Sequence, residues 1–184
     1  SLVLQTIDFA APPADADARP CFVRLLTVRN LGQAESGDAV LRVVANNKAE
    51  PVEDGVLVET SKARSLTTRF SQPGAVATLR TLEMPLGVLA AGADRVFTLF
   101  HCTADGAGPL PVPAGDPGDW LDALAEAYGA WDANLVQVDV PEPWVADFVD
   151  GMKMTLKVQT AASGATCPMS EYTRTWARDN IGPV

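Results

Sequence analysis

The carboxyl-terminal stretch, residues 167–184, brings together side chains that are suited to holding a ligand. Arg174, Trp176, Arg178 and Asp179 lie within one short segment. They combine an aromatic face, fork-shaped guanidinium donors and a carboxylate acceptor, the groups that a polyhydroxylated molecule requires. The segment is therefore a candidate binding loop. The alternative is a solvated Arg178–Asp179 surface pair beside a core tryptophan.

Composition excludes several other functions. The net charge is -9, with 14 basic against 23 acidic residues, which argues against nucleic acid and anionic membranes as partners. No apolar run is long enough to span a bilayer, and residues 1–10 do not resemble a signal peptide, so any export signal is expected to have been removed. The sequence contains no motif for a serine nucleophile, a phosphate-binding glycine loop or a metal cluster, so no cofactor or metal is predicted.

The cysteines and the single histidine give little sign of chemistry. Cys21, Cys102 and Cys167 share no Cys-x-x-Cys spacing, so zinc is unsupported and at most one disulfide can form. Which cysteines pair, and in which compartment the protein resides, stay open. His101 lies in an apolar run beside Cys102, which indicates a core or edge histidine and not a catalytic one.

The first hundred residues have the pattern of short antiparallel strands. Apolar and β-branched residues alternate in runs that are bounded by turn residues, and no helical period separates the runs. This pattern predicts an antiparallel β-sandwich over residues 1–104. The predicted strands lie at 2–9, 22–30, 39–45, 56–60, 75–83 and 94–102, with a short apolar run at 86–90.

Beyond the sandwich the pattern becomes helical. A Gly/Pro-rich linker is predicted at 105–116, followed by a helix over 117–133 with Asp119 as its N-cap. Its broad apolar stripe must lie on another part of the protein, either the sandwich or the following helix. The stripe consists of Trp120, Leu121, Leu124, Ala127, Tyr128 and Trp131.

A proline-rich break ends this linker segment, which is assigned to 117–142, and a second helix is predicted at 143–161. Its aromatic and methionine residues, including Trp144, Phe148 and Met152, are expected to be core.

The order of these elements resembles the amino-terminal part of glycoside hydrolases that couple a β-sandwich to a catalytic (α/α) barrel, such as glucoamylase-like and glycogen-debranching enzymes. The resemblance is carried by that order and by the sequence of Trp176, Arg178 and Asp179. It implies that residues 143–184 are the first helix and the substrate-side loop of a truncated barrel. It also implies that Arg178 and Asp179 bind sugar hydroxyls while Tyr172 and Trp176 line the pocket.

The resemblance implies a non-catalytic portion of a glycosidase or phosphorylase that acts on glucan-like sugars. Its partners are then a carbohydrate substrate and a carboxyl-terminal barrel of the same chain. No pair of carboxylates has the spacing of an acid and a base, so no catalytic residue is predicted and the chain itself is expected to be inactive. The alternative is a stand-alone β-sandwich that serves as a binding or adhesion module.

Overall fold

The protein is mainly β, with two antiparallel sheets followed by two helices. A computed structural model describes residues 1–11, 21–53, 55–61, 64–105, 113–135 and 137–160. In chain order the elements are β1 (Leu2–Ala10), β2 (Cys21–Asn30), β3 (Ala39–Val44), β4 (Ala49–Glu53), β5 (Val56–Ser61), β6 (Arg64–Phe70), β7 (Val76–Thr78), β8 (Thr81–Gly87), β9 (Asp94–Asp105), α1 (Pro117–Asp132) and α2 (Pro143–Gln159). The predicted fold class, a β-sandwich followed by helices, is confirmed.

The larger sheet has six strands in the order β1-β2-β9-β6-β5-β4, and every neighbouring pair is antiparallel. The last strand, β9, is inserted between β2 and β6. It therefore joins the β1-β2 hairpin to the β4-β5-β6 meander, and the sheet is completed only when β9 is in place.

The smaller sheet has three strands in the order β3-β8-β7 and packs on one face of the larger sheet. Alternate residues of β3 and β8 face inward and meet alternate residues of β2, β6 and β9, as the two-residue period of strands requires. Phe70 and Phe97 meet edge to face within this core, with ring centroids 6.4 Å apart. The fully buried members include Leu57, Leu82, Leu89 and Leu99.

The strand predictions missed two elements and merged two others. Neither β4 nor β6 was predicted. The single strand expected at 75–83 is a hairpin, in which β7 and β8 are joined by Leu79 and Arg80, and Arg80 adopts a positive φ of 68°. The apolar run at 86–90 is only the end of β8 and the coil after it.

The opposite face of the larger sheet carries a second, smaller core. Cys21 and Cys102 are directly opposite each other on β2 and β9 and form a disulfide, with their Cα atoms 4.3 Å apart. The first turns of α1 pack on this core through Trp120 and Leu124, and the Trp120 ring meets Phe100 edge to face. The expectation that the α1 stripe lies on the sandwich is thus confirmed for these residues.

The N-cap prediction for α1 is wrong by one turn. The helix starts at Pro117, so the preceding Asp116 is the cap, and its Oδ1 accepts a hydrogen bond of 2.7 Å from the Gly118 amide. Proline at the first helical position has no N–H to satisfy and its φ suits a helix. Asp119 is instead an acidic residue of the first turn, where its negative charge interacts favourably with the positive end of the helix dipole.

The chain divides into two compact units, residues 1–124 and 125–184. In the second unit, Lys153 of α2 lies between two carboxylates, 2.7 Å from Asp132 and 2.8 Å from Asp150. Lys157 lies over the Trp131 ring, with Nζ 5.1 Å from its centroid. These contacts place the end of α1 against α2, as the α1 stripe predicted.

The expectation that the large side chains of α2 form a core is wrong for the described residues. Trp144 is 70% exposed, Phe148 62% and Met152 51%, and α2 buries no residue fully. These side chains recur every four residues, so they form one continuous apolar stripe along the helix. Nothing in the described part of the chain covers the stripe.

A buried asparagine fixes the loops at one end of the sandwich. Asn30 is 1% exposed, and its side-chain Nδ2 donates to the carbonyls of Ala34, Leu89 and Ala90 at 2.8, 3.0 and 3.2 Å. Its Oδ1 accepts from the Gly32 amide at 2.9 Å. One side chain therefore connects the loop after β2 to the loop before β9.

We predict that Asn30→Asp lowers the free energy of unfolding by at least about 3 kcal/mol, because a carboxylate would face three carbonyl oxygens without a donor. Urea denaturation of the variant measures this loss. The exposed Asn46→Asp is the matched control, expected to lie within about 0.5 kcal/mol of the wild-type protein. Equal midpoints for the two variants would show that Asn30 does not hold these loops.

Candidate ligand-binding cleft

A cleft of about 440 Å³ lies between the two sheets, where β3 leaves the end of the larger sheet uncovered. Its floor is the inner face of the larger sheet, and its wall is formed by residues 41–46. The volume is within the range of sites for small ligands, about 300 to 1,000 Å³. The floor is apolar toward the core, where Leu26, Leu57 and Leu99 line it, and polar toward the open end.

An ion pair marks the open end. Arg24 donates from Nε and Nη2 to the two carboxylate oxygens of Asp8 at 2.6 and 2.8 Å. The two residues are directly opposite each other on β2 and β1, so the strand register itself brings them together. The hydrogen bond from Arg24 lowers the pKa of Asp8, which keeps this carboxylate ionised. Such a two-point pair fixes both side chains and cancels their charges locally.

His101 lies beside this pair on β9. Its Nδ1 is 3.0 Å from the hydroxyl of the buried Thr68, which is directly opposite on β6. Burial lowers the pKa of His101, and the charge of Arg24 lowers it further, while Asp8 and Glu59 oppose the change. The imidazole is therefore neutral near pH 7 and offers one donor and one acceptor. The sequence-based interpretation of a satisfied core or edge histidine agrees with this geometry.

The wall of the cleft is fixed by hydrogen bonds to neighbouring elements. The Asn47 amide donates to Glu59 Oε2 of β5 at 3.2 Å. Ala45 is bound twice by Arg80 of the β7–β8 turn: its amide donates to the Arg80 carbonyl at 2.9 Å, and its carbonyl accepts from Arg80 Nη2 at 3.2 Å. The loop after β3 is thus held in place, and the cleft is largely preformed.

An aromatic ring extends the site beyond the cleft. Phe22 is directly opposite His101 on β2, with ring centroids 6.0 Å apart, and it is 41% exposed. The guanidinium carbon of Arg24 lies 5.9 Å from the Phe22 ring centroid, within reach of a cation–π contact. Phe22, Arg24 and His101 therefore form one surface at the open end.

This arrangement is suited to binding. Asp8 and Arg24 neutralise each other's charge, and Arg42 is paired with Glu83 at 2.7 Å on the outer face of the smaller sheet. Among the described residues that line the cleft, Glu59 is the one carboxylate. Fixed donors and acceptors around an apolar floor are typical of a recognition site.

The predicted sugar-binding residues Tyr172, Trp176, Arg178 and Asp179 lie outside the described residues, as does Cys167. Sequence reasoning missed the cleft because its polar groups come from five different strands. One signal was present: Arg24 interrupts an apolar run at a position that shares its face with the buried Leu26. A charged residue on the inner face of a strand indicates either a partner of opposite charge or a ligand-binding site.

The chain matches no protein-family model, and no curated protein or solved structure shows significant similarity to it. Within the described ranges, neither helix is long and apolar enough to cross a membrane.

We predict that His101 makes stability depend on pH. Because the folded state lowers its pKa below the ordinary value of about 6.5, the unfolded chain binds the proton more readily. The stabilisation is complete above about pH 6.5 and is lost as the pH falls from there toward the folded-state pKa. Melting temperatures of the wild-type protein and of His101→Gln, compared between pH 7.5 and 5.5, measure the effect.

The wild-type protein should lose more stability than His101→Gln over this interval, since glutamine does not titrate. The other groups that act on the imidazole, Arg24, Asp8 and Glu59, are present in both proteins, so the comparison isolates the titration of His101. An equal change in melting temperature between pH 7.5 and 5.5 for the two proteins would contradict the prediction.

Proposed function

We propose that this chain is the non-catalytic amino-terminal portion of a carbohydrate-active enzyme, a glycoside hydrolase or phosphorylase that acts on glucan-like sugars. The observation that carries the proposal is the uncovered apolar stripe of α2, formed by Trp144, Phe148, Met152 and Leu156. An apolar face of this length in water is costly, so it favours burial against further helices. A sandwich followed by such a helix is the arrangement on which the resemblance to (α/α)-barrel enzymes rests.

In this proposal the loop after α2 supplies sugar contacts. Asp179 accepts hydrogen bonds from neighbouring hydroxyls, Arg178 donates to them, and Tyr172 and Trp176 line the pocket. A carboxylate and a guanidinium fork satisfy adjacent donors and acceptors of a sugar together. The acid and base of the reaction come from the helical part that follows, since glycoside hydrolysis requires two carboxylates placed across the bond.

The test compares the natural protein that carries this chain with residues 1–184 alone, using malto-oligosaccharides as substrate. We expect the natural protein to cleave them and the isolated chain to be inactive. In the natural protein Asp179→Asn should reduce kcat/KM about 10- to 100-fold, because one charged hydrogen bond contributes about 1.5 to 3 kcal/mol. Its melting temperature should stay near that of the wild type.

The matched control is Asp122→Asn on the exposed surface of α1, which should leave both kcat/KM and melting unchanged. Wild-type kcat/KM with a depressed melting temperature would assign Asp179 to loop structure and not to sugar binding. A reading frame that stops soon after Val184 would reject the enzyme role as a whole.

A stand-alone binding module is the second candidate, and the preformed cleft favours it. A recognition site on the sandwich needs no further domain. The length of the natural reading frame separates the two candidates, because only the enzyme requires a long continuation of the chain.

A further inference from the structure

We propose that the cleft at the open end of the sandwich is a binding site for a neutral mono- or disaccharide. The site is formed by described residues of the sandwich, and the proposal does not rest on the enzyme role proposed above. Its evidence is the arrangement of the side chains of β1, β2, β5, β6 and β9 around one cleft.

The charges of the site argue for a neutral ligand. Arg24 is neutralised by Asp8, so its guanidinium is not left to attract an anion. Glu59 is the one carboxylate among the described lining residues, and the chain carries a net charge of -9, both of which repel anions.

The hydrogen-bonding groups argue for a ligand that has several hydroxyls. The open end presents an imidazole, the hydroxyl of Thr6, a carboxylate oxygen of Glu59 and the outer N–H groups of Arg24. The opening therefore offers both donors and acceptors. A hydroxyl group both donates and accepts, so vicinal hydroxyls can satisfy several of these groups together, whereas an alcohol with a single hydroxyl leaves most of them unpaired.

The apolar surfaces argue for a ring with a hydrocarbon face. Leu26, Leu57 and Leu99 form the floor, and the exposed Phe22 ring lies next to His101 at the rim. A pyranose ring has a C–H face and a hydroxyl edge, which match the floor and the rim respectively. The volume of about 440 Å³ limits the ligand to a short saccharide.

The experiment titrates the isotope-labelled chain with glucose and with maltose and follows amide chemical shifts. Glucuronate serves as the anionic probe and hexanol as the purely apolar one. We expect shifts from the sugars at residues of β1, β5, β9 and the loop after β3, with weaker binding of glucuronate and hexanol. Glu59→Gln keeps an acceptor for the Asn47 amide, and Thr6→Val removes one hydroxyl, so both should fold and both should weaken sugar binding.

The loss should be about tenfold for Glu59→Gln, where a charged hydrogen bond is replaced by a neutral one. The control is Thr60→Val, an exposed threonine on the opposite face of β5, which should bind sugar as the wild type does. Melting curves of all variants identify any loss of fold.

Several results would overturn the proposal. They are the absence of shifts with either sugar, tighter binding of glucuronate or hexanol, unchanged affinity in both cleft variants, or shifts confined to residues outside the cleft. Shifts at 172–179 that Asp179→Asn abolishes, with none in the cleft, would support the loop site and reject this one. Cleft binding in a chain whose natural form has no hydrolase activity would reject the enzyme role alone.

Discussion

The structure depends on one strand, β9, which pairs with β2 on one side and β6 on the other. Without it the larger sheet is a hairpin and a separate meander, each with an apolar face that is too small to form the core. The disulfide between Cys21 and Cys102 connects β9 to β2 across 81 residues of sequence. Because these contacts are so distant along the chain, the loop-closure entropy is large, and a crosslink that removes it from the unfolded state contributes about 2 to 5 kcal/mol.

The position of β9 also determines where the cleft lies. Its inner face passes from Phe97 and Leu99, which belong to the shared core, to His101 at the open end. The smaller sheet covers only the first part of this face, so Arg24 of β2 and Glu59 of β5, which lie beyond it, are partly exposed to solvent. The cleft is thus a consequence of sheets of unequal width, six strands against three.

The sequence predicted the fold class and most strands because β1, β2, β3, β5 and β9 are short runs rich in apolar and β-branched residues, bounded by turn residues. It failed at β6, where Ser65, Thr67 and Thr68 are buried and the expected contrast between faces disappears. It also failed to identify the cleft, since the pairings of Asp8 with Arg24 and of Thr68 with His101 depend on register and strand order. Register is determined by contacts across the whole sheet, so it cannot be predicted from any single segment of the sequence. The candidate residues at 172–179 rest on the sequence alone.

The polar end of the cleft is difficult to explain as a stabilising feature. A sandwich selected only for stability would have apolar residues where Arg24, Glu59 and His101 lie on the inner face, since burial of such side chains contributes about 1.5 to 3 kcal/mol each. Here instead the Asp8–Arg24 ion pair and a hydrogen-bonded imidazole keep the opening polar. These polar residues break the apolar pattern of the inner face of their strands, yet they form hydrogen bonds with one another. In a fold whose other positions follow the pattern, such residues are where a functional site is expected.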